Sequence, residues 1–279
     1  MPLVPMRAVA AAARRAGRGL GAFNVVQLEH AEAITEGARR AGLPVVLQVS
    51  ENTVDYHGSP GPLLLALLRL AEEMEAEAVV HLDHATRPAL VRQAVELGVR
   101  SVMVDASALP YRENTGRTAE LAAWCHEQGV WVEAELGEIG GKDGVHAPGV
   151  RTDPGEAADF VRATGVDALA VAVGSSHAMA TRDAVLDDRL IAELAARLPV
   201  PLVLHGSSGV PDAGLASAVR HGMLKINIAT HLNRVLTGTV RSALAADPAL
   251  MDPRRWFAPA REAVAAEVAR LLTVLAPAS

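Results

Sequence analysis

Aromatic residues are scarce in this chain, at 3%, so its core must be packed with Ala, Val and Leu rather than rings. Cysteine occurs once, as Cys125. An intrachain disulfide is therefore excluded, and a reducing cytoplasm is the expected compartment. No run of lysine or arginine stands out, and the formal net charge is −6. The concentrated basic patch that a nucleic-acid partner would need is missing. An anionic substrate would have to be met by a local site rather than by the global field. Long apolar runs are missing too. The strongest, residues 63–68, is far too short to span a bilayer. The Ala-rich N-terminus is cut by Arg7, Arg14, Arg15 and Arg18, which leaves no signal-peptide core.

What the chain does have is apolar residues, 50% of 279, and a regular alternation of short β-rich runs with longer helical patterns. The runs fall at residues 21–25, 44–49, 78–82, 101–104, 130–135, 168–173, 201–204 and 223–227. Most are continuously apolar, as parallel strands covered on both faces are. A helical pattern follows each one, with a Gly/Pro loop ahead of the second. A last amphipathic helix spans about residues 253–275. Eight βα units in this length imply a single (β/α)8 barrel over residues 1–279, with an extra C-terminal helix. The Gly-rich first turn that marks a doubly wound open sheet is absent.

In such a barrel the chemistry sits at the C-terminal ends of the strands. The third strand ends in His81-Leu82-Asp83-His84, the sixth runs into Gly174-Ser175-Ser176-His177, and the seventh ends in Leu204-His205-Gly206. His84, His177 and His205 thus share one rim, and three converging imidazoles suit a tetrahedral zinc with a fourth position left for water or substrate. His81, inside the strand, reads as a core histidine or one that supports the ligands. Successive strand residues face opposite ways, so Asp83 and His84 can both reach the rim only if the strand stops there. Asp83 is then a candidate general acid/base; the alternative is a cap for the next helix. Two further turns, His205-Gly206-Ser207-Ser208-Gly209 and Asn227-Ile228-Ala229-Thr230, follow strands seven and eight, where barrels often hold phosphate on main-chain N–H groups. Helix capping is the plainer use of the same residues.

Taken together, the sequence resembles the class II fructose/tagatose-bisphosphate aldolases, most closely their tagatose-like branch. The residues that carry the resemblance include Ala22-Phe23-Asn24, His81-Leu82-Asp83-His84, Val104-Asp105-Ala106-Ser107, Val132-Glu133-Ala134-Glu135-Leu136-Gly137, Leu204-His205-Gly206 and Lys225-Ile226-Asn227-Ile228-Ala229-Thr230. The resemblance implies catalytic zinc on His84, His177 and His205, and Asp83 as proton donor to the aldehyde oxygen. It implies a phosphate grip by Gly206, Ser208, Asn227 and Thr230, with Asn24, Ser50, Ser207, Ile228 and Ala229 completing the substrate-binding set. Asp105 and Glu135 match residues that contact a second, non-catalytic divalent metal in some members. A monovalent cation near the phosphate, and homodimers or homotetramers, are also family features.

The expected reaction is reversible aldol cleavage of a ketose phosphate to dihydroxyacetone phosphate and an aldehyde. Two departures stand out. Ala178 follows His177 where the family has glycine. The loop after the fifth strand reads Gly140-Gly141-Lys142-Asp143-Gly144, one residue short and without the family glutamate, so Asp143 is the candidate proton-transfer base and Glu138 the fallback. Three alternatives stay open on the residues alone: a Schiff base on Lys225, a zinc-dependent hydrolase on the same barrel, and a non-catalytic metal-binding paralogue.

Overall fold

The computed structural model describes residues 3–136, 151–175 and 181–277. Eight parallel strands close into a barrel in sequence order: β1 Leu20–Asn24, β2 Val45–Ser50, β3 Ala78–Ala85, β4 Ser101–Val104, β5 Trp131–Glu135, β6 Ala168–Ala170, β7 Leu202–Leu204 and β8 Met223–Ile228. The helices are α1 Met6–Arg15, α2 Leu28–Ala41, α3 Glu51–His57, α4 Gly61–Glu73, α5 Pro88–Glu96, α6 Tyr111–Glu127, α7 Pro154–Thr164, α8 Asp188–Arg197, α9 Asp212–His221, α10 Thr230–Ala246 and α11 Pro253–Val274. The barrel and the extra C-terminal helix are as the sequence pattern leads one to expect. No helix among the described residues is long and apolar enough to cross a membrane.

Two helices come as additions. The N-terminal stretch folds as α1, whose buried Met6, Val9, Ala10 and Ala13 make an i, i+3, i+4, i+7 stripe. Arg7, Arg14 and Arg15 interrupt the apolar run only on its exposed face. The stripe closes the N-terminal end of the barrel against Leu20, Ala22, Val46, Val79 and Leu224. The Gly/Pro loop after β2 begins with a short helix, α3, because the Ser50 hydroxyl accepts the Thr53 N–H at 3.3 Å and caps it.

The barrel interior is thus split along its axis, with an apolar floor sealed by α1 and a polar mouth. Strand β3 shows the gradient: Val79, His81 and Asp83 face inward, while Ala78, Val80 and Leu82 join the shell between strands and helices. Two irregularities break this alternation, and both place chemistry at the mouth. The β3–β4 register shifts between Leu82 and Ala85, and His84 there has φ 49°. The β7–β8 register shifts so that Val203 pairs with Lys225 rather than Leu224. Leu224 and Lys225 then both point inward, and Asn227 follows on the same face. The requirement that β3 end at Asp83 is therefore corrected: the strand continues to Ala85, and a bulge with a left-handed residue brings Asp83 and His84 to one rim.

The shell is fastened by α11, which packs along α2 and α10. At the α2 crossing a Cβ on Gly37 would lie 2.6 Å from Val268 Cβ and 2.7 Å from Ala265 O. Glycine is needed there for closeness, not for backbone freedom. Gly37→Ala should lower the unfolding free energy by about 1–3 kcal/mol without moving the mouth; a thermal midpoint equal to the parent's would show that the helices separate at no cost.

Candidate functional site

Asp83 is 2% exposed and sits under three side-chain amides. Asn24 Nδ2 and Gln48 Nε2 each donate to its Oδ2 at 3.3 Å, and Asn227 Nδ2 donates to its Oδ1 at 3.5 Å. The amide orientations follow from their other partners. Lys225 can only donate, and its Nζ lies 2.9 Å from Asn227 Oδ1, which turns the Asn227 NH2 toward Asp83. Gln48 Nε2 also donates to Asn24 Oδ1 at 2.6 Å, which turns the Asn24 NH2 the same way. Lys225 Nζ is held on its other side by Glu133 Oε2 at 2.9 Å.

Beside Asp83 lie two imidazoles, His84 and His205, with ring centroids 4.6 Å apart and planes tilted by 57°. His84 Nδ1 is 2.8 Å from Asp105 Oδ2, and Asp105 Oδ1 accepts from the Ser107 N–H and hydroxyl at 3.1 and 2.7 Å. A carboxylate so fixed sets the orientation of the ring it holds. Both nitrogens of His205 face carboxylates: Nε2 is 3.3 Å from Glu133 Oε1 and Nδ1 is 2.9 Å from Glu135 Oε2. A neutral imidazole has one N–H and cannot answer both. A second proton or a cation would satisfy both.

The neighbouring carboxylates also set the direction in which these rings are shifted. Burial opposes a charge on His205, but Glu133 and Glu135 outweigh it and hold the ring up at about 10. Burial likewise opposes a charge on His84, and the Asp83 charge with the Asp105 hydrogen bond raises it nonetheless. Burial would raise the Asp83 carboxyl; the charges of His84, Lys225 and His205 hold it below the usual range. His81 goes the other way. Its Nδ1 lies 2.8 Å from Ser101 Oγ, and burial, reinforced by Lys225, pushes it down to about 3 despite Glu133.

Ligand atoms of Asp83, His84 and His205 all lie within 4.8 Å of one another, and so do those of His84, Asp105 and Glu135. The structure thus gathers two of the three expected zinc ligands, Asp83, and the two expected second-metal residues into one cluster. His177, Ala178, Glu138 and Asp143 lie outside the described residues. At the turns expected from sequence to hold phosphate, Gly206 takes φ 68° and opens a 3-10 turn over Ser207–Gly209. Ser208 Oγ accepts the His231 N–H at 3.2 Å, which ties this turn to the start of α10. Ala229 precedes Thr230 there without a side-chain cap. The other expected substrate residues differ in aspect. Ser50 caps α3, the Ser207 hydroxyl donates to Leu204 O at 3.1 Å, and the Ile228 side chain joins the apolar shell, so Ile228 has only main chain to offer a ligand. Glu133 and Gln48 were not singled out from sequence. The signal for Glu133 was there: Glu133 and Glu135 alternate with Val132 and Ala134, which puts both carboxylates on one face.

Comparison with known proteins gives the cluster a context. The family model for class II fructose-bisphosphate aldolase matches residues 4–278. A fructose-bisphosphate aldolase from Staphylococcus aureus (strain Mu50 / ATCC 700699) is 36% identical over 268 residues, 95% of this chain and 94% of that protein. Among solved structures, the YdjI aldolase from Escherichia coli K12 matches with a TM-score of 0.84 and 28% identity, over 98% of this chain and 97% of that one. A fructose-bisphosphate aldolase from Campylobacter jejuni, at 21% identity and a TM-score of 0.81 over 98% and 95% of the two chains, shares the fold.

The buried neutral His81 has a consequence for stability. Its folded pKa is depressed to about 3 from an ordinary 6.5, so its contribution is complete above 6.5 and is lost as pH falls toward 3. Between pH 7 and pH 5 that loss is about 2 kcal/mol in metal-free protein. Urea unfolding of the parent and of His81→Gln at both pH values checks it. The drop should be smaller in the variant by about that amount; equal drops would mean that His81 is not buried as a neutral ring.

Proposed function

This chain belongs to the class II fructose-bisphosphate aldolase family and is an aldehyde-lyase, and on that premise we propose that it carries out zinc-dependent, reversible cleavage of a ketose phosphate or bisphosphate, of the fructose-1,6- or tagatose-1,6-bisphosphate type. The products are dihydroxyacetone phosphate and an aldehyde. The observation that carries this reading is His205, whose two ring nitrogens both face carboxylates at 3.3 and 2.9 Å while His84 lies alongside. Imidazoles and carboxylates with no thiolate fit zinc with an open position, and Cys125, the only cysteine, is buried in the shell. His84, His205 and His177 would hold the ion. When bound, it supplies a Lewis acid that stabilises the negative charge left on the ketose fragment as the C3–C4 bond breaks.

The chain's own groups do the rest. Asp83, ionised under three amide donors, accepts the C4 hydroxyl proton in the cleavage direction and returns it to the aldehyde oxygen in condensation. Asn24, Gln48 and Asn227 keep the carboxylate from rotating away. Lys225 is engaged by Glu133 and Asn227 on the site's floor, where it supports Asn227 and balances charge; this placement disfavours a Schiff base. Gly206, Ser208, Asn227 and Thr230 would take the dihydroxyacetone phosphate end, with the α10 N-terminus as the anion-binding element. Asp143 is the proposed base at the carbon next to the carbonyl, and Asp105 with Glu135 the proposed second divalent site. A monovalent cation beside the phosphate, a cytoplasmic setting and a homodimer or homotetramer complete the proposal.

A coupled assay over a panel of ketose mono- and bisphosphates tests the reaction. Cleavage should be lost on thorough chelation and restored by zinc. Activity that survives chelation, or that borohydride with substrate abolishes, would point to the Schiff-base route instead. Purified His205→Ala should carry far less zinc than the parent; equal content sinks the assignment. Asp83→Asn should reduce kcat by about 10²–10⁴-fold with a much smaller effect on KM.

A further inference from the structure

Among the described residues His84 is the one non-glycine with positive φ, at 49°. Such a backbone persists only where its surroundings impose it. Upstream, Ser50 of β2 pairs with Asp83 and fixes the chain just before His84. Downstream, Ala85 pairs with Val104 and its carbonyl accepts the Asp105 N–H at 2.9 Å.

The next two residues are gathered by one carboxylate. Glu51 Oε2 accepts the main-chain N–H groups of Thr86 and Arg87 at 2.7 and 3.2 Å, and Oε1 accepts the Thr86 hydroxyl and Arg87 Nε at 2.7 and 3.0 Å. Glu51 is the first residue of α3, directly after the capping Ser50, and its side chain is only 12% exposed. The end of β2 therefore grips β3 on both sides of the left-handed residue: through Ser50–Asp83 before it and through Glu51 after it.

We propose that Glu51 is a positioning residue for the metal site. It does not touch the ion. It holds the Thr86–Arg87 main chain so that His84 keeps its left-handed backbone, and its ring stays against Asp105 and toward His205, before any metal arrives. The inference rests on His84 being a zinc ligand, as proposed above. Only an ionised carboxylate offers acceptors for all four donors. Glutamine has the same shape but replaces one acceptor with an NH2 group that would face N–H donors.

The test is the affinity of metal-free protein for Zn2+, measured by competition with a chromophoric chelator, together with the visible spectrum of the Co2+ form. Glu51→Gln should bind Zn2+ about tenfold more weakly or worse and give an altered Co2+ spectrum. Should that variant be too unstable to handle, Thr86→Val, which removes only the hydroxyl bond, should show a smaller loss in the same direction. Two controls separate this role from general damage. Gly37→Ala lowers stability at a remote crossing and should keep the parental affinity. Asp55→Asn breaks the exposed Arg87–Asp55 pair, leaves the four bonds to Glu51, and should keep it as well. Parental affinity in Glu51→Gln, or an equal loss in either control, overturns the inference. His84→Ala distinguishes the two levels: if it loses Zn2+ while Glu51→Gln does not, only the role of Glu51 falls, and if it keeps parental affinity, the metal-site reading falls with it.

Discussion

Asp83, Glu133 and Glu135 are packed out of water inside the barrel mouth, at 2%, 0% and 2% exposure, with Asp105 beside them on His84. Within this cluster the described residues set one lysine, Lys225, against them. Removing a carboxylate from water is costly unless a compensating charge and hydrogen bonds meet it. Counted over the described residues, the cluster thus holds more carboxylates than fixed positive charges. In the metal-free state this imbalance draws protons toward the rings: the neighbouring carboxylates raise both His84 and His205 above the ordinary imidazole value. A divalent cation placed among the same atoms would meet the same need, and the low-dielectric surroundings that make the imbalance expensive would also strengthen the cation's grip.

Holding these groups together against their mutual repulsion calls for a rigid frame, and the frame lies in the strands. Regular alternation would have put Lys225 into the apolar shell and turned His84 away from Asp83. The register shifts in β3 and β8 insert one residue each and redirect both side chains to the mouth. The apolar floor under α1 and the α2–α11 crossing keep the strands from relaxing around these irregularities. The turn after β7 is linked to the same frame through Ser208, whose hydroxyl joins it to α10, and through Ser175, whose hydroxyl donates to His205 O at 2.6 Å.

Much of this was legible in the residues. The apolar runs named the barrel, since a strand buried on both faces has little freedom in composition. The shared rim of His84 and His205 followed from strand ends alone. The means of reaching the rim did not, because a bulge is a relation between two strands and leaves no local mark: His84 carries no glycine signal, and Leu224-Lys225 reads like ordinary strand. α1 was hidden for a different reason. Its arginines look like interruptions in a linear reading, and only the helical period places them outside. Glu133 alternates visibly with Glu135, yet its use depends on Lys225 and His205, which lie far away in sequence and come together only when the barrel closes. Residues 168–173 read as one strand because Val171-Ala172-Val173 stay apolar, while the ladder itself ends at Ala170.

The central claim is that the carboxylate cage accepts a divalent cation in exchange for imidazole protons. Calorimetric titration of metal-free protein with Zn2+ near pH 7.5, repeated in buffers of different ionisation enthalpy, counts those protons directly. The charge balance predicts release of about one to two protons per zinc bound, falling as the pH is raised toward the His205 value of about 10. Tight binding with no proton released would contradict it, since the imidazoles would then have been neutral before the cation arrived.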